Sequence, residues 1–482
     1  MKKQLLLLAM ILLPIVASAD ESGSCGESVT YTYVDATNTL TISGTGKMKN
    51  YTTWGEKSPW YKYREIVVKA IIEEGVTSIG DYSFDSCSSL TSVIIPNSVT
   101  SIGIVAFGGC SILPSIIIPN SVAEIGRAAF SGCKNLTSVS IPNNVTMIDG
   151  DVFRNCSGLK SITIPPSVTE IIAGAFDNCT GLTSVHITDI AAWCNTSFYD
   201  NPLRYAHHLY LNNDEIKELV IPSSVKFIAR IAFIDCRDFI SVTVSNGVTS
   251  IGDEVFYGCS GIVSVTIPNS VTSIGESAFS NCNSLTTIEI PNSMTSIGNN
   301  VFRNCSKLNT VSIPNSVKSI GYNAFYRCSE LGSIIIPNSV TSIGDGAFAN
   351  CIGLTSVTIG SGISSVGEYA FNGCAALASI TCLAATPPVC GMYTFGDVNK
   401  ASCTLKVPTE SVDAYKNADT WKEFLTIEGV ITGINNAIND NVNVNASIYD
   451  LNGMQSAHSH KGVNIVKQSN GTIRKVLIEN KW

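Results

Sequence analysis

Cysteine offers this chain three kinds of chemistry, as a nucleophile, a metal ligand or a disulfide partner. The 482 residues include 17 cysteines, and no two are spaced as C-x-x-C, which argues against a zinc-ribbon or thioredoxin-type site. Twelve instead recur every 23 residues in two runs, each three residues after a Phe. We interpret these twelve as small buried hydrophobic side chains. They are Cys87, Cys110, Cys133, Cys156 and Cys179, then Cys236, Cys259, Cys282, Cys305, Cys328, Cys351 and Cys374.

The other five cysteines are Cys25, Cys194, Cys382, Cys390 and Cys403. Side chains that point the same way from neighbouring repeats have poor disulfide geometry, so we do not expect bridges within the repeats. Cys382 could be bridged to Cys390 or Cys403, which would fix the C-terminal segment, or all three could be free. The sequence leaves both alternatives open.

Histidine is the next candidate for metal or acid–base chemistry, and the chain has five. His207-His208 and the pair His458 and His460 could bind a metal, but neither has a carboxylate or thiolate partner at a recognisable spacing. We interpret these four as solvated loop histidines. The sequence therefore predicts no metal site.

Catalytic spacings are also missing from the sequence. It contains no G-x-S-x-G, no H-E-x-x-H and no phosphate-binding Gly loop. A hydrolase site in the irregular segment 188–220 would have only Asp189, His207, His208 and Asp214 to use. We predict that the protein is not an enzyme and has neither catalytic residues nor a cofactor.

Composition narrows the choice of partners. Charged residues make up 14% of the chain and the net charge is −8, which disfavours nucleic acid as a partner. The hydrophobic fraction of 45% argues against disorder. Beyond the first 20 residues no apolar run approaches the ~18 residues of a membrane-spanning helix, so we expect no transmembrane segment.

The elements that hold the cysteines follow from the 23-residue period. Val93 and Ile95 are spaced as on one face of a strand, and Pro96 ends that strand. Phe107 and Cys110 are spaced as on one turn of helix. A single unit cannot bury its Phe, Leu and Ile, but stacked units bury them against one another. We predict a repeat solenoid whose coils contain short strands and a helical turn, capped at both ends.

The repeated phrase "IPNSVTSIGxxAFxxCxxLTSV" resembles the BspA-like leucine-rich repeats of bacterial surface proteins over residues 67–380. The resemblance implies a leucine-rich-repeat, right-handed superhelix. It also implies a cell-surface or secreted adhesin that binds host matrix proteins or other cells.

Segments outside the repeats predict the remaining organisation. Residues 1–19, "MKKQLLLLAMILLPIVASA", match a signal peptide, so we expect a secreted or bacterial cell-surface protein. Residues 20–66 are predicted as an N-terminal β cap, in which Trp54 and Trp60 cover the first coil. Residues 381–429 are predicted as a C-terminal cap, in which Pro387-Pro388 end the strand ladder and residues 411–424 form a helix. Residues 430–482 are predicted as an Asn-rich linker and a small β-rich tail, which resembles a type IX secretion sorting module.

The period is interrupted between Ile187 and Ile221, where the irregular coil 188–220 is rich in aromatic residues. These aromatic residues could form a binding spot. We favour the alternative that they fill the extra space inside a wider coil.

The outward side of the strands is the best candidate for a binding surface. The position just before each "IP" faces away from the core and carries mostly uncharged residues, which suits a large partner held by many modest contacts. We predict binding of a protein or glycan macromolecule through this face, and the alternative is a structural spacer without a ligand. The sequence does not indicate an oligomeric state. The candidate residues are Ile94, Ile117, Ser140, Thr163, His186, Thr243, Thr266, Glu289, Ser312, Ile335 and Thr358.

Overall fold

The computed structural model describes residues 21–430 and, in the C-terminal tail, the backbone of four short strands. The predicted signal peptide at residues 1–19 and the Asn-rich segment at residues 431–446 lie outside the described residues. Strands are numbered β1–β39 and helices α1–α3 along the chain.

Neighbouring coils pair through parallel strands, with residues 23 apart in sequence placed side by side. Val139 pairs with Ile162, and Ile162 pairs in turn with Val185. Because each residue lies beside its counterpart in the next coil, a repeated apolar residue becomes a continuous buried row. The chain is a solenoid of such coils, as the sequence predicted.

The first strand of each coil forms the surface that we call the strand face. These strands are β5 (Lys69–Ile72), β7 (Ser92–Ile94), β10 (Ser138–Ser140), β12 (Ser161–Thr163), β14 (Ser184–Ile187), β16 (Leu209–Leu211), β18 (Glu218–Ile221), β20 (Ser241–Val244), β22 (Ser264–Thr266), β24 (Thr287–Glu289), β26 (Thr310–Ser312), β28 (Ser333–Ile336), β30 (Ser356–Ile359), β32 (Ser379–Cys382), β34 (Thr404–Pro408) and β35 (Thr426–Val430).

The second strand of each coil follows the "IPNSVTS" segment and is mostly two residues long. These strands are β6 (Val76–Ile79), β8 (Ser101–Ile102), β9 (Glu124–Ile125), β11 (Met147–Ile148), β13 (Glu170–Ile171), β15 (Ser197–Phe198), β19 (Phe227–Ile228), β21 (Ser250–Ile251), β23 (Ser273–Ile274), β25 (Ser296–Ile297), β27 (Ser319–Ile320), β29 (Ser342–Ile343), β31 (Ser365–Val366) and β33 (Val389–Cys390).

The Phe and Cys of each repeat lie in consecutive tight turns rather than in the helical turn that the sequence predicted. The Cys110 amide donates to the Phe107 carbonyl over 3.3 Å, as in a turn. The residue before each Cys, however, has a left-handed φ, as at Asn155 (61°) and Asn178 (60°). This conformation ends a helix, and Gly or Asn occupies most of these positions because they adopt it with little strain.

The phenylalanines form two buried stacks, one on each side of the irregular coil. From Phe84 to Phe176, and again from Phe233 to Phe395, neighbouring rings lie 5.1–5.8 Å apart with interplanar angles of 2–18°. Within each stack the Phe amides also donate to backbone carbonyls of the next coil, as from Phe107 to the Ala129 carbonyl over 2.8 Å, and Phe176 at the interruption is an exception. Backbone hydrogen bonds therefore join the coils on the Phe side as well as on the strand face.

The repeated cysteines form a second row beside the Phe stacks. The Cys133 thiol donates to the Phe107 carbonyl of the preceding coil over 3.3 Å, and bonds of this kind number ten in all in the described residues. All 17 cysteines are free thiols, which includes Cys382, Cys390 and Cys403. Cysteine thus serves as a small apolar side chain that also carries a donor, which Ala or Val would lack.

The N-terminal end is closed by a β-hairpin and a tryptophan. Antiparallel β1 (Glu21–Ser24), β2 (Val29–Val34) and β3 (Thr39–Gly44) lead into parallel pairing of β3 with β5, while β4 (Gly46–Lys47) pairs with β6. Trp60 is fully buried beside Phe84, and its indole N–H donates to the Ser83 carbonyl over 2.7 Å. The prediction for Trp54 is wrong, because this side chain is 98% exposed.

At the C-terminal end the strand ladder continues beyond the predicted boundary. The prediction that Pro387-Pro388 end it is wrong: β33 pairs with β31, and β32, β34 and β35 pair in series. The two prolines lie in the loop between β32 and β33, where no ladder N–H is needed. The predicted helix over residues 411–424 is shorter, with α3 (Val412–Asn417) between the 3₁₀ turns Thr409–Ser411 and Trp421–Glu423.

The tail strands form a separate antiparallel sheet in the order β37-β36-β38-β39. They are β36 (Ser447–Tyr449), β37 (Gln455–Ser456), β38 (Gly462–Lys467) and β39 (Ile473–Ile478). Among the described residues, no helix has both the length and the apolar character needed to cross a bilayer.

Replacing Phe302 with Ala should lower the free energy of unfolding by about 3–5 kcal/mol, because it opens a cavity in the middle of the ring stack. Phe227→Ala is the matched control, since Phe227 is 46% exposed and should cost little. Urea unfolding followed by circular dichroism measures both. Equal losses in the two variants would contradict the stacked-core account.

A thiol count tests the state of the cysteines. Burial raises the pKa of Cys305 to about 12 and that of Cys390 to about 12, so native thiols should react slowly with a thiolate-specific reagent at pH 8. After unfolding without reductant, all 17 should react. A count lower by two would mean that one disulfide is present.

Candidate binding face and irregular coil

The eleven residues predicted to form the binding face occupy one column along the coils. Ser140 lies beside Thr163 and Thr163 beside His186, while Ile335 lies beside Thr358. Ten of the eleven lie in strands, and Ile117 lies in a coil that has no strand there in the described structure. Eight are exposed, and the remaining three (Thr163, His186 and Thr358) are partly exposed.

The column is apolar at several points and nearly uncharged. Ile117 is 83% exposed, Ile335 is 69% exposed, and Ile94 also faces solvent. Glu289 is the one charged residue among the eleven. Exposed aliphatic side chains on a surface with little charge are typical of the centre of a protein interface.

Two further residues of this column were missed at the interruption of the period. Val220, 56% exposed, lies beside Thr243. It precedes Ile221-Pro222, so the same rule would have found it had the break not obscured the phase. Tyr210 lies beside His186 with the two rings stacked at 4.7 Å, and no signal in the sequence marks it.

Many of the repeated Ser and Thr residues have a structural role, because their hydroxyls join neighbouring coils. The Thr100 hydroxyl donates to the Thr77 carbonyl of the preceding coil over 3.1 Å, and Thr272 donates to Thr249 in the same way. The serine of the "IPNSV" phrase also reaches back one coil, as from Ser98 to the Val76 carbonyl (2.8 Å). The repetition of these polar residues is thus explained by stacking alone.

The irregular coil contains two of the three α-helices in the described part of the chain, α1 (Ile190–Asn195) and α2 (Leu203–Ala206), and the short strand β17 (Asp214–Glu215). Trp193 and Phe198 are buried and their rings meet edge to face at 4.8 Å. Tyr199, in contrast, is exposed. The two buried aromatic side chains fill the wider coil, which is the alternative that the sequence favoured.

In the irregular coil, side chains make the hydrogen bonds to neighbouring coils that backbone groups make elsewhere in the solenoid. The amide of Phe176, which would otherwise donate to the next coil's backbone, donates to Asp200 Oδ2 over 2.9 Å. The indole N–H of Trp193 donates to the Ala232 carbonyl over 2.7 Å, as Trp60 does for Ser83 at the start of the solenoid. The side-chain amide of buried Asn201 donates through Nδ2 to the Ile231 carbonyl over 2.9 Å. These bonds satisfy polar groups that the wider coil would otherwise leave buried without partners.

The four residues that a hydrolase site would have used hold separate positions. Asp189 caps α1, where its Oδ1 accepts from the amides of Ala191 and Ala192. His207 contacts the Asp235 carbonyl, and its burial lowers its pKa. Asp214 is exposed in the β16–β17 hairpin. His208 pairs with residues outside the predicted set, and the four therefore do not resemble a catalytic site.

His208 lies among charged side chains, of which Asp238 is distant from it in sequence. Its Nδ1 is 2.8 Å from Glu215 Oε1 and 2.6 Å from Asp238 Oδ2. The ammonium of Lys217 is 2.7 Å from Glu215 Oε2 and 3.2 Å from Asp238 Oδ2. Because Asp238 belongs to the following coil, sequence spacing gave no sign of this cluster.

Comparison with known families agrees with this geometry. The family model described as the BspA type leucine rich repeat region matches this chain over residues 71–204, 206–332 and 318–445. The chain belongs to the BspA-type leucine-rich repeat family. Among curated proteins, none matches this BspA-type chain.

Solved structures of bacterial leucine-rich repeat proteins are similar to this BspA-type chain. One from Bacteroides ovatus is 27% identical, with 74% of this chain and 93% of that chain covered and a TM-score of 0.53. One from Eubacterium ventriosum is 28% identical, with 73% and 94% covered and a TM-score of 0.49. A leucine rich cell surface protein from Faecalibacterium prausnitzii is 26% identical, with 75% and 94% covered and a TM-score of 0.33.

Replacing Trp193 with Phe keeps most of the apolar volume but removes the donor to Ala232. The lost hydrogen bond should destabilise the protein by about 1–3 kcal/mol, because a buried carbonyl is left without a good partner. Trp54→Phe is the matched control at a fully exposed tryptophan. The urea midpoint should fall for Trp193→Phe alone, and an unchanged midpoint would mean that this bond does not hold the interruption together.

Proposed function

We propose that this protein is an exported surface protein that binds another protein through its strand face. The observation that carries the proposal is a set of four exposed aliphatic side chains, spread among uncharged polar residues along one column of the strand face. A bound partner would bury apolar surface that is now exposed to water at four side chains, Ile94, Ile117, Val220 and Ile335. The N-terminal sequence and the tail that resembles a sorting module support export.

The aliphatic positions of this surface suit a protein better than a glycan. Branched aliphatic side chains offer a sugar neither a flat ring face nor hydrogen-bonding groups, but they fit the apolar pockets of a protein partner. The stacked His186–Tyr210 pair is an aromatic surface on the same column, and it would add an anchor of the kind that is common in protein interfaces.

A spacer without its own ligand is the second candidate. The observation that favours it is that stacking explains the repeated polar residues as well as the apolar ones, since hydroxyls such as Thr100 donate within the solenoid. In this case the strand face would carry no selective contacts, and only the length of the solenoid would matter.

Ile335→Lys should weaken partner binding about tenfold or more, since it places a charge at the centre of an apolar contact. Ile352→Lys is the matched control, because this isoleucine is 57% exposed and lies in a turn, off the strand face. Binding of the purified protein and both variants to immobilised host matrix proteins, mucin and polysaccharides measures the effect. Equal binding by the two variants, or no binding anywhere in the panel, would contradict the proposal.

Deletion of residues 259–304 distinguishes the two candidates, because it removes two coils and keeps the repeat phase. A binding protein should lose affinity, since Thr266 and Glu289 leave the face and the flanking residues change their separation. A spacer should keep its cellular role in a shorter form. Circular dichroism of the shortened protein checks that the solenoid still folds.

A further inference from the structure

We propose that His208, Glu215 and Asp238 form a binding site for a divalent transition-metal ion such as Zn²⁺. One nitrogen and two carboxylate oxygens converge there, and the three ligand atoms all lie within 4.8 Å of one another. All three residues are partly exposed, so an ion can reach them from solvent. This site is independent of the strand-face proposal.

The distances suit a single ion after small side-chain movements. Zinc lies about 2.0–2.2 Å from His nitrogen and carboxylate oxygen, so two ligands of one ion are about 3–4 Å apart. His208 Nδ1 lies 2.8 Å from Glu215 Oε1 and 2.6 Å from Asp238 Oδ2, and a modest rotation of each side chain would open this space.

The donor set also selects the kind of ion. An imidazole nitrogen favours Zn²⁺ and its neighbours over Mg²⁺ and Ca²⁺, which prefer oxygen ligands only. Two carboxylates balance the charge of a divalent ion. Three protein ligands leave at least one position for water, as in zinc sites that are open to solvent.

Lys217 is the internal competitor for this ion. Its ammonium lies 2.7 Å from Glu215 Oε2 and 3.2 Å from Asp238 Oδ2, so it neutralises the same carboxylates. These carboxylates also raise the pKa of Lys217, and the hydrogen bond to Glu215 is the largest cause. The flexible side chain is 46% exposed and can turn into solvent when an ion arrives. Removing its charge should therefore strengthen metal binding.

The location gives the ion a structural role. One sheet of the strand face ends with β16 and β17, and a new sheet begins at β18. His208 and Glu215 belong to the side before this break, whereas Asp238 belongs to the coil that follows it. An ion held by all three would connect the two parts of the solenoid where the strand ladder is interrupted.

Isothermal titration of the full chain with Zn²⁺ tests the site, with Ca²⁺ and Mg²⁺ titrated in parallel. We expect one Zn²⁺ per chain and much weaker binding of the other two ions. His208→Gln and Asp238→Asn should each weaken Zn²⁺ binding about tenfold or more. Lys217→Met should strengthen it. Asp214→Asn is the matched control for Asp238→Asn, because it removes an exposed carboxylate of the β16–β17 hairpin that lies outside the cluster and should leave the affinity unchanged.

A second measurement is the thermal midpoint, which saturating Zn²⁺ should raise in the wild type and not in His208→Gln. Because both proteins contain the same 17 cysteines, binding to thiols would appear equally in each. The proposal is overturned if the wild type does not bind Zn²⁺, or if His208→Gln binds it as tightly as the wild type does. A loss of affinity in Lys217→Met would also overturn it.

Discussion

The fold depends on the constraint that each residue must lie beside its counterpart one coil away. Parallel pairing places Val139, Ile162 and Val185 in one row, and the Phe amides repeat this connection on the opposite side. A row of identical side chains packs well only if every coil has the same length. The constant 23-residue spacing is the consequence, and the sequence remains similar wherever the spacing is kept.

The rows of apolar side chains could be predicted from the sequence because burial and period coincide there. Phe302 and Cys305 are buried as expected, since an apolar residue at a fixed phase has no other place in a stack. The polar contacts could not be predicted. Nothing in the pattern shows that the Cys133 thiol donates to Phe107, because this depends on the offset between coils. The prediction that Pro387 ends the ladder failed, because a proline interrupts strand pairing only where its missing N–H is needed.

Of the two candidate sites, one could be predicted from the sequence and the other could not. The outward column was predictable because strands alternate their side chains, and Ile335 faces solvent as this rule requires. Val220 was missed because the interruption shifts the phase. The cluster around His208 was not predictable, because Asp238 approaches it only through the turn of the next coil. A contact between coils is invisible to local spacing unless it recurs with the period, and this one occurs once.

The row of free thiols also links the chemistry of the chain to its folding. Twelve of them lie behind the strands, where they are kept from oxidants only by the packing around them. In an oxidising environment an unfolded chain would expose every thiol to random cross-linking. In such an environment, folding must bury the thiols before oxidation can cross-link them. Once the coils have stacked, the thiols stay reduced because oxidants no longer reach them.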